Sequence, residues 1–276
     1  MKYKIKVIDR YKLAIKNRKK LPSNLQSALH GFYIPNDLCG KSNAKTIKGE
    51  SENITTYVMY LAPHKQNSKG INLCTNASDG CIASCLFSAG RGRFGSVIYA
   101  RKNKTEYYLS DKKLFLYQLE KEIQKYVNRH KKDGSKFAIR LNGTSDINFN
   151  SVMRKFPDVT FYDYTKNLRR AKNNNVPNYD LTFSRSESNE EQLLEALSLG
   201  IRTAIVVSED LYKTLKFDGK VLIDGDKNDL RFLDANGIVI LYAKGDGKKD
   251  QSGFVIGDKN KLKKYIDIVT QSKVIA

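Results

Sequence analysis

Six short apolar runs, spaced over residues 136–245, constrain the fold of this chain more than any other feature. They are KFAIRLNG (136–143), VTFYDY (159–164), YDLTFS (179–184), RTAIVVS (202–208), KVLIDG (220–225) and IVILYAKG (238–245). Such runs of β-branched and aromatic residues, bounded by turn-forming ones, are expected to be strands. An earlier run, TTYVMYLAP from Thr55 to Pro63, has the same character. Helix-like segments lie between several of them. In NEEQLLEALSLG, Asn189 is a candidate N-cap and Gly200 ends the pattern. Over residues 97–130, Leu116, Leu119, Ile123 and Val127 recur at three- and four-residue intervals, as on an amphipathic helix that Gly134 would stop. Strands alternating with helices predict an α/β fold with a largely parallel sheet, either open or closed into a partial or complete β/α barrel. The expected division is an N-terminal extension over 1–54, a barrel-like domain over 55–257 and a C-terminal helix over 258–276.

Of four cysteines, three fall within twelve residues, in Cys74-TNASDG-Cys81-IAS-Cys85. In a reducing compartment such a group is more often a metal or cluster site than a disulfide framework. Structural zinc usually takes four ligands with closely spaced cysteine pairs, and gaps of six and three residues suit it poorly. Three thiolates instead suit a [4Fe–4S] cluster with one iron left open for a small ligand. Cys39 and His64 are the candidates for a fourth ligand. The plain alternative is three small buried residues, since free cysteine is commonly buried.

In α/β folds of this kind function collects at the carboxyl ends of the strands. There the chain places Arg140, Asn142, Ser145 and Asp146, then Asp163 to Lys166, then Ser184, Arg185, Ser186 and Glu187, and then Asp224, Asp226 and Asp229. Each cluster alone also suits an ordinary turn or helix start. Their shared placement on the rim of the cysteine loop favours a site.

Partner class follows from charge. The 49 Lys and Arg against 29 Asp and Glu give a formal charge of +20, which suits an anionic partner such as DNA, RNA or a nucleotide. The basic segments 16–20, 91–93, 101–104, 131–132, 169–172 and 261–264 are interleaved with Tyr107, Tyr108 and Tyr164, whose rings would stack on bases. A lysine- and asparagine-rich composition also arises from AT-rich coding without selection for binding. No run of about 18 apolar residues occurs and the basic N-terminus lacks a continuous apolar stretch, so the expectation is a cytoplasmic protein with no membrane partner.

Several motifs occur together and in order: NAKTIKGE (43–50), the cysteine loop followed by AGRGRF, RLNGTSDI (140–147), FYDYTK (161–166), LTFSRSE (181–187), DGDKNDLRFLD (224–234) and DQSGFVI (250–256). This set resembles the gene product 88 domain family of bacteriophages and plasmids over about residues 40–257, and implies a phage or plasmid setting. A three-cysteine loop after the first strand of a partial barrel is also similar in architecture to radical S-adenosylmethionine enzymes. The spacing here departs from the C-x3-C-x2-C usual there. The radical resemblance implies Cys74, Cys81 and Cys85 as ligands of a [4Fe–4S] cluster. Lys166, Asp146 and Glu187 are then the catalytic candidates, and Arg140, Asn142, Ser145, Ser184, Ser186, Asp224 and Asp226 the candidates for holding S-adenosylmethionine. A second expectation is a zinc- or cluster-stabilised nucleic-acid-binding protein without catalysis. A third is Mg²⁺-dependent phosphoryl transfer at Asp224, Asp226, Asp229 and Asp234.

Overall fold

In a computed structural model of the chain, residues 31–41 and 52–275 are described, together with the single positions 9, 12, 13, 16 and 26. Most of the basic segment 16–20, and all of 43–50, lie outside the described residues.

Among the described residues eight strands form one sheet: β1 (Cys39–Gly40), β2 (Ile54–Met59), β3 (Lys136–Arg140), β4 (Thr160–Thr165), β5 (Tyr179–Ser184), β6 (Thr203–Val207), β7 (Leu222–Asp224) and β8 (Ile238–Tyr242). Their order is β1-β2-β3-β4-β5-β6-β8-β7. Every pairing is parallel except β1 with β2, where Cys39 lies opposite Met59. All seven predicted strands are present. The sheet is open, with the two-residue β1 and the three-residue β7 at its edges, so a complete barrel is not formed. Strands this short offer few ladder hydrogen bonds with which to close a ring. The expected extension also contributes to the sheet, because β1 lies within it.

The helices are α1 (Asp79–Ala83), α2 (Gly95–Ser110), α3 (Lys112–Asp133), α4 (Asn150–Met153), α5 (Leu168–Lys172), α6 (Glu190–Ser198), α7 (Glu209–Thr214) and α8 (Lys259–Ile275). The helix expected over 97–130 is two helices, broken at Asp111. Its carboxylate accepts the Leu114 amide at 3.1 Å and caps α3, which Gly134 ends in the left-handed conformation (φ 70°). Asn189 does not cap α6 with its side chain. Its Oδ1 accepts the Ser186 amide and its Nδ2 donates to the Ser184 carbonyl, so it braces the preceding turn.

Strand alternation sends Tyr57, Ile139, Phe161 and Tyr179 to one face, against Tyr107, Phe115, Leu119 and Ile123 of α2 and α3. On the same face Phe183, Ile205 and Ile240 meet Leu193 and Leu197 of α6 and Tyr265 of α8. The opposite face is covered by the β7–β8 connection, whose Leu230 and Phe232 pack on Ile54, Ala138 and Tyr162. Wholly buried apolar side chains of this size each contribute about 1.5–3 kcal/mol. These layers hold the carboxyl ends of β2 to β6 along one edge, where the polar clusters gather.

Candidate functional site

The cysteine loop follows β2 and is pinned from several sides. Leu73 O accepts the Asp146 amide at 2.9 Å, and the Cys74 thiol donates to Thr144 O at 3.5 Å. Both bonds join it to the turn after β3. Ser78 caps α1, accepting the Cys81 amide at 3.3 Å, so Cys81 stands on a short helix where glycines suggest a loop. Cys85 precedes a 3-10 turn, Leu86–Ser88. The AGRGRF segment then doubles back so tightly that a Cβ on Gly92 would lie 2.7 Å from Phe87 O.

The three thiols lie within electrostatic reach of one another. Burial pushes Cys74 up to about 11, with Cys85, Cys81 and Asp146 adding to the rise and a backbone hydrogen bond from His64 opposing it. Burial also raises Cys85, as does Cys81, while the Phe87 amide, Lys166 and Arg101 pull it down. Among the described residues no group of three or more His, Cys, Asp or Glu side chains is placed to hold a metal ion. Cys39 stands apart, in the helix-side core beside Glu122.

The strand-end residues divide by partner. Asn142 and Ser145 brace their own turn: Asn142 Oδ1 accepts from Ser145 Oγ at 2.9 Å and from the Ile147 amide at 2.8 Å. Asp146 links two loops, accepting from Thr165 Oγ1 at 2.9 Å, the Lys166 amide at 3.2 Å and Arg170 Nη1 at 2.5 Å. Glu187 reaches back to the cysteine helix, its Oε1 taking the Gly80 amide and its Oε2 the Ser78 hydroxyl, both at 2.7 Å. Burial works against its charge, but these hydrogen bonds hold Glu187 below the usual carboxylate range. Ser186 is buried, with its hydroxyl 3.4 Å from that of Ser188, and Ser184 is half-buried at the end of β5. Lys166 lies with Nζ 5.7 Å from the Phe254 ring centroid.

Other predicted residues face elsewhere. Arg140 points to the sheet's opposite face, paired with Asp229 at 2.7 Å over the Tyr164 ring. Asp224 accepts the Tyr212 hydroxyl at 2.5 Å, and Asp226 takes the Tyr242 amide and the Lys244 ammonium. Asp234 pairs with Arg231 at 3.0 Å. The four carboxylates proposed for Mg²⁺ therefore each face a separate donor. Tyr107 and Tyr108 are core residues, so they present no stacking surface.

Arg101, on α2, is the site residue that single-residue reading misses. Its guanidinium lies 4.7 Å from the Tyr60 ring centroid and 5.4 Å from that of Phe87, and its charge helps lower Cys85 against the effect of burial. The signal was present as a basic run, but nothing local shows that Arg101 turns inward while Lys102 is exposed.

Fold and site together define an open, mostly parallel α/β protein with a segment bearing three partly buried cysteines at the carboxyl edge of its sheet. The chain belongs to the gene product 88 family, whose model matches residues 37–257. That membership supports a phage setting. No curated protein and no solved structure matches the chain. Among the described residues no helix is long and apolar enough to cross a membrane.

Proposed function

We propose that the chain is an iron–sulfur protein with radical S-adenosylmethionine-like activity on a nucleotide or nucleic acid, built on a partial β/α barrel. The observation that carries this reading is the gathering of Cys74, Cys81 and Cys85 beside the strand ends, on the loop after the first parallel strand. The sequential strand order from β2 to β6, with helices packed on one face, supports the partial-barrel winding.

The donor set fits the group. In a tetrahedral zinc shell, Zn–S bonds of about 2.3 Å would hold the sulfurs about 3.8 Å apart around one point. A cubane takes one thiolate per iron, so its ligands stand further apart. The reading therefore rests on the C-x6-C-x3-C spacing and on the electrostatic influence of Cys81 and Cys85 on Cys74. When bound, a [4Fe–4S] cluster with an open iron supplies the electron for reductive cleavage of S-adenosylmethionine. Cys74, Cys81 and Cys85 would hold it. Ser78 and Glu187 orient the helix bearing Cys81, and Asp146 fixes the turn beside Cys74. Lys166 and Arg101 place positive charge beside Cys85, which favours its thiolate. Ser184 and Ser186 stand at the same edge as hydroxyl donors for a bound cofactor.

The test is iron and sulfide content after anaerobic reconstitution, with absorption and EPR spectra, on wild type and Cys81→Ala. About four irons per chain with sulfide, lost in the variant and perturbed by S-adenosylmethionine, is the expected result. Stoichiometric zinc or no metal would overturn the reading.

A second reading, nucleic-acid binding without catalysis, is favoured by one observation. Phe94 and Tyr99 are 57% and 53% exposed, next to exposed Arg91, Arg93 and Lys102. Aromatic faces among cations are the equipment for holding a single strand. Affinity that falls steeply with salt, in protein lacking any metal, would favour it.

A further inference from the structure

The sheet face turned away from α2 and α3 is closed over one half and open over the other. Towards the amino ends of the strands, Ile54, Ala138 and Tyr162 are buried beneath Leu230 and Phe232 of the β7–β8 connection. Towards the carboxyl ends, Tyr164, Ser184, Val206 and Leu241 are only half-buried. Their neighbours on the same strands, Asp163, Phe183, Ile205 and Ile240, alternate to the helix side and are fully buried. The registers place the four half-buried side chains on one surface. Tyr164 lies opposite Thr182, two residues before Ser184; Ser184 lies opposite Ala204, two residues before Val206; and Val206 lies opposite Leu241. Tyr164 and Leu241 also pack on the same buried group, Ala204, Ile223 and Val239. The strands that carry them are adjacent, and at about 4.8 Å per strand they make a floor about 14 Å across.

Tyr164 gives this floor a chemical character. Its hydroxyl turns inward, 3.5 Å from Asp229, and the buried Arg140 guanidinium lies 4.7 Å from its ring centroid. What solvent reaches is therefore the remaining ring surface, flat and apolar and backed by a cation. Lys166 stands two residues further on, just beyond the end of β4, and is half-buried. Its Nζ lies 5.7 Å from the Phe254 ring centroid and has no carboxylate at ion-pair distance among the described residues. Asp146 accepts the Lys166 amide but gives its other hydrogen bonds to Thr165 and Arg170, so it does not neutralise the ammonium.

We propose that this floor is a nucleotide site, in which a nucleobase stacks on Tyr164, the ribose lies on Val206 and Leu241, and Lys166 meets the 5′-phosphate. A base presents a flat face to the ring and carries its anionic phosphate on an apolar-backed sugar, so one ligand satisfies the aromatic surface, the aliphatic surface and the ammonium together. The inference deepens the nucleotide reading above by naming where the nucleotide sits. It rests on that reading for the class of ligand alone; no cysteine and no cluster takes part.

The experiment is the binding of AMP and UMP, one purine and one pyrimidine nucleotide, to the full-length protein prepared without metal. The chain has no tryptophan, so Tyr164→Trp sets a single fluorophore in the floor and keeps a ring on which a base can stack. Saturable quenching by AMP or UMP is the expected result, and quenching by neither would overturn the proposal. Calorimetric titration then compares variants with wild type. Tyr164→Ala should weaken the bound nucleotide by about 5- to 150-fold, while Tyr164→Phe should keep most of the affinity. Lys166→Gln should weaken the nucleotide by about fivefold and leave its nucleoside unchanged, because the phosphate alone meets the ammonium. This second variant lies at the rim and serves if Tyr164→Ala does not fold. Wild-type affinity in Tyr164→Ala, or equal losses for nucleotide and nucleoside in Lys166→Gln, would overturn the site. S-adenosylmethionine carries an adenine without a phosphate and should not displace the nucleotide; displacement would assign the floor to that cofactor and overturn the proposal. Iron content is read separately. A protein that takes up no iron yet binds the nucleotide in this way would lose the cluster reading and keep this one.

Discussion

Glu187 and Gly80 are 107 residues apart in sequence, and the Glu187 carboxylate accepts the Gly80 amide at 2.7 Å. The same carboxylate accepts the Ser78 hydroxyl, so the turn after β5 clamps the first turn of the helix bearing Cys81. A Cβ at residue 80 would lie 2.1 Å from Ser252 Oγ and 2.8 Å from Glu187 Oε1. Gly80→Ala should therefore push the clamp apart and destabilise the protein by about 1–3 kcal/mol. Glu187→Gln, which removes the charge and one acceptor, should cost about 1.5–3 kcal/mol. Hydrogen exchange over residues 78–85 is the check, and unchanged protection in both variants would refute the clamp.

Asp163 carries a pH dependence of known sign. Burial pushes it up to about 6, although Arg140 and the Asn142 hydrogen bonds lower it. With the folded value above the unfolded one, the folded state binds more protons between about pH 4 and 6. Its contribution is thus fully present below about pH 4 and lost as pH rises through 6. The size is on the order of 2–3 kcal/mol. Urea unfolding of Asp163→Asn across pH 4–7 should lack this slope relative to wild type.

The Arg140–Asp229 pair lies in a buried setting, with the guanidinium 4.7 Å from the Tyr164 ring. Asp229→Asn removes the nearer of two carboxylates beside Arg140, leaving Asp163 at 3.8 Å, and the loss should be about 1–3 kcal/mol. Replacing both, as Arg140→Met with Asp229→Leu, should recover part of that stability at a pH low enough for Asp163, which then also loses its cation, to be protonated. Thermal denaturation of the single and double variants decides it; a double variant no better than the single would show that Arg140 acts through other partners.

Cys39 provides a control for the cluster. It is buried in the helix-side core, where its amide donates to Glu122 at 3.0 Å, so Cys39→Ser should leave iron content unchanged. Iron lost in this variant would make Cys39 a ligand.

The exposed pair Phe94 and Tyr99 tests the nucleic-acid reading. Their double replacement by Ala should weaken single-stranded DNA binding by about 1–3 kcal/mol for each base that loses its stack. Arg91→Gln with Arg93→Gln should instead flatten the salt dependence by about 0.7 per charge removed. Fluorescence anisotropy over a salt series separates the two effects.

Much of the architecture was legible because its signals are local. The runs at 136–143, 159–164, 179–184, 202–208, 220–225 and 238–245 all became strands, since side-chain shape and alternation act over a few residues. The break at Asp111 was missed because one helical period continues through it, and only the capping bond to Leu114 reveals the turn. The strand-end clusters were found, but their division was not visible. Arg140 and Asp146 have similar neighbours in sequence, yet one faces the covered side of the sheet and the other the cysteine loop.

The sequence by itself determined the strands, the ends of two helices at Gly134 and Gly200, the C-terminal helix, the family and the three thiols, all of which depend on residue type and short spacing. The tertiary structure decided what those residues face. It left the sheet open, because β1 and β7 are too short to close it, and it separated the acidic residues of 224–234 among Tyr212, Lys244, Arg140 and Arg231. It also placed Arg101 and Lys166, 16 and 81 residues further along the chain, where their charges act on Cys85. The physical reason is that the partner of a buried charge is set by chain packing over long separations, which no local pattern encodes.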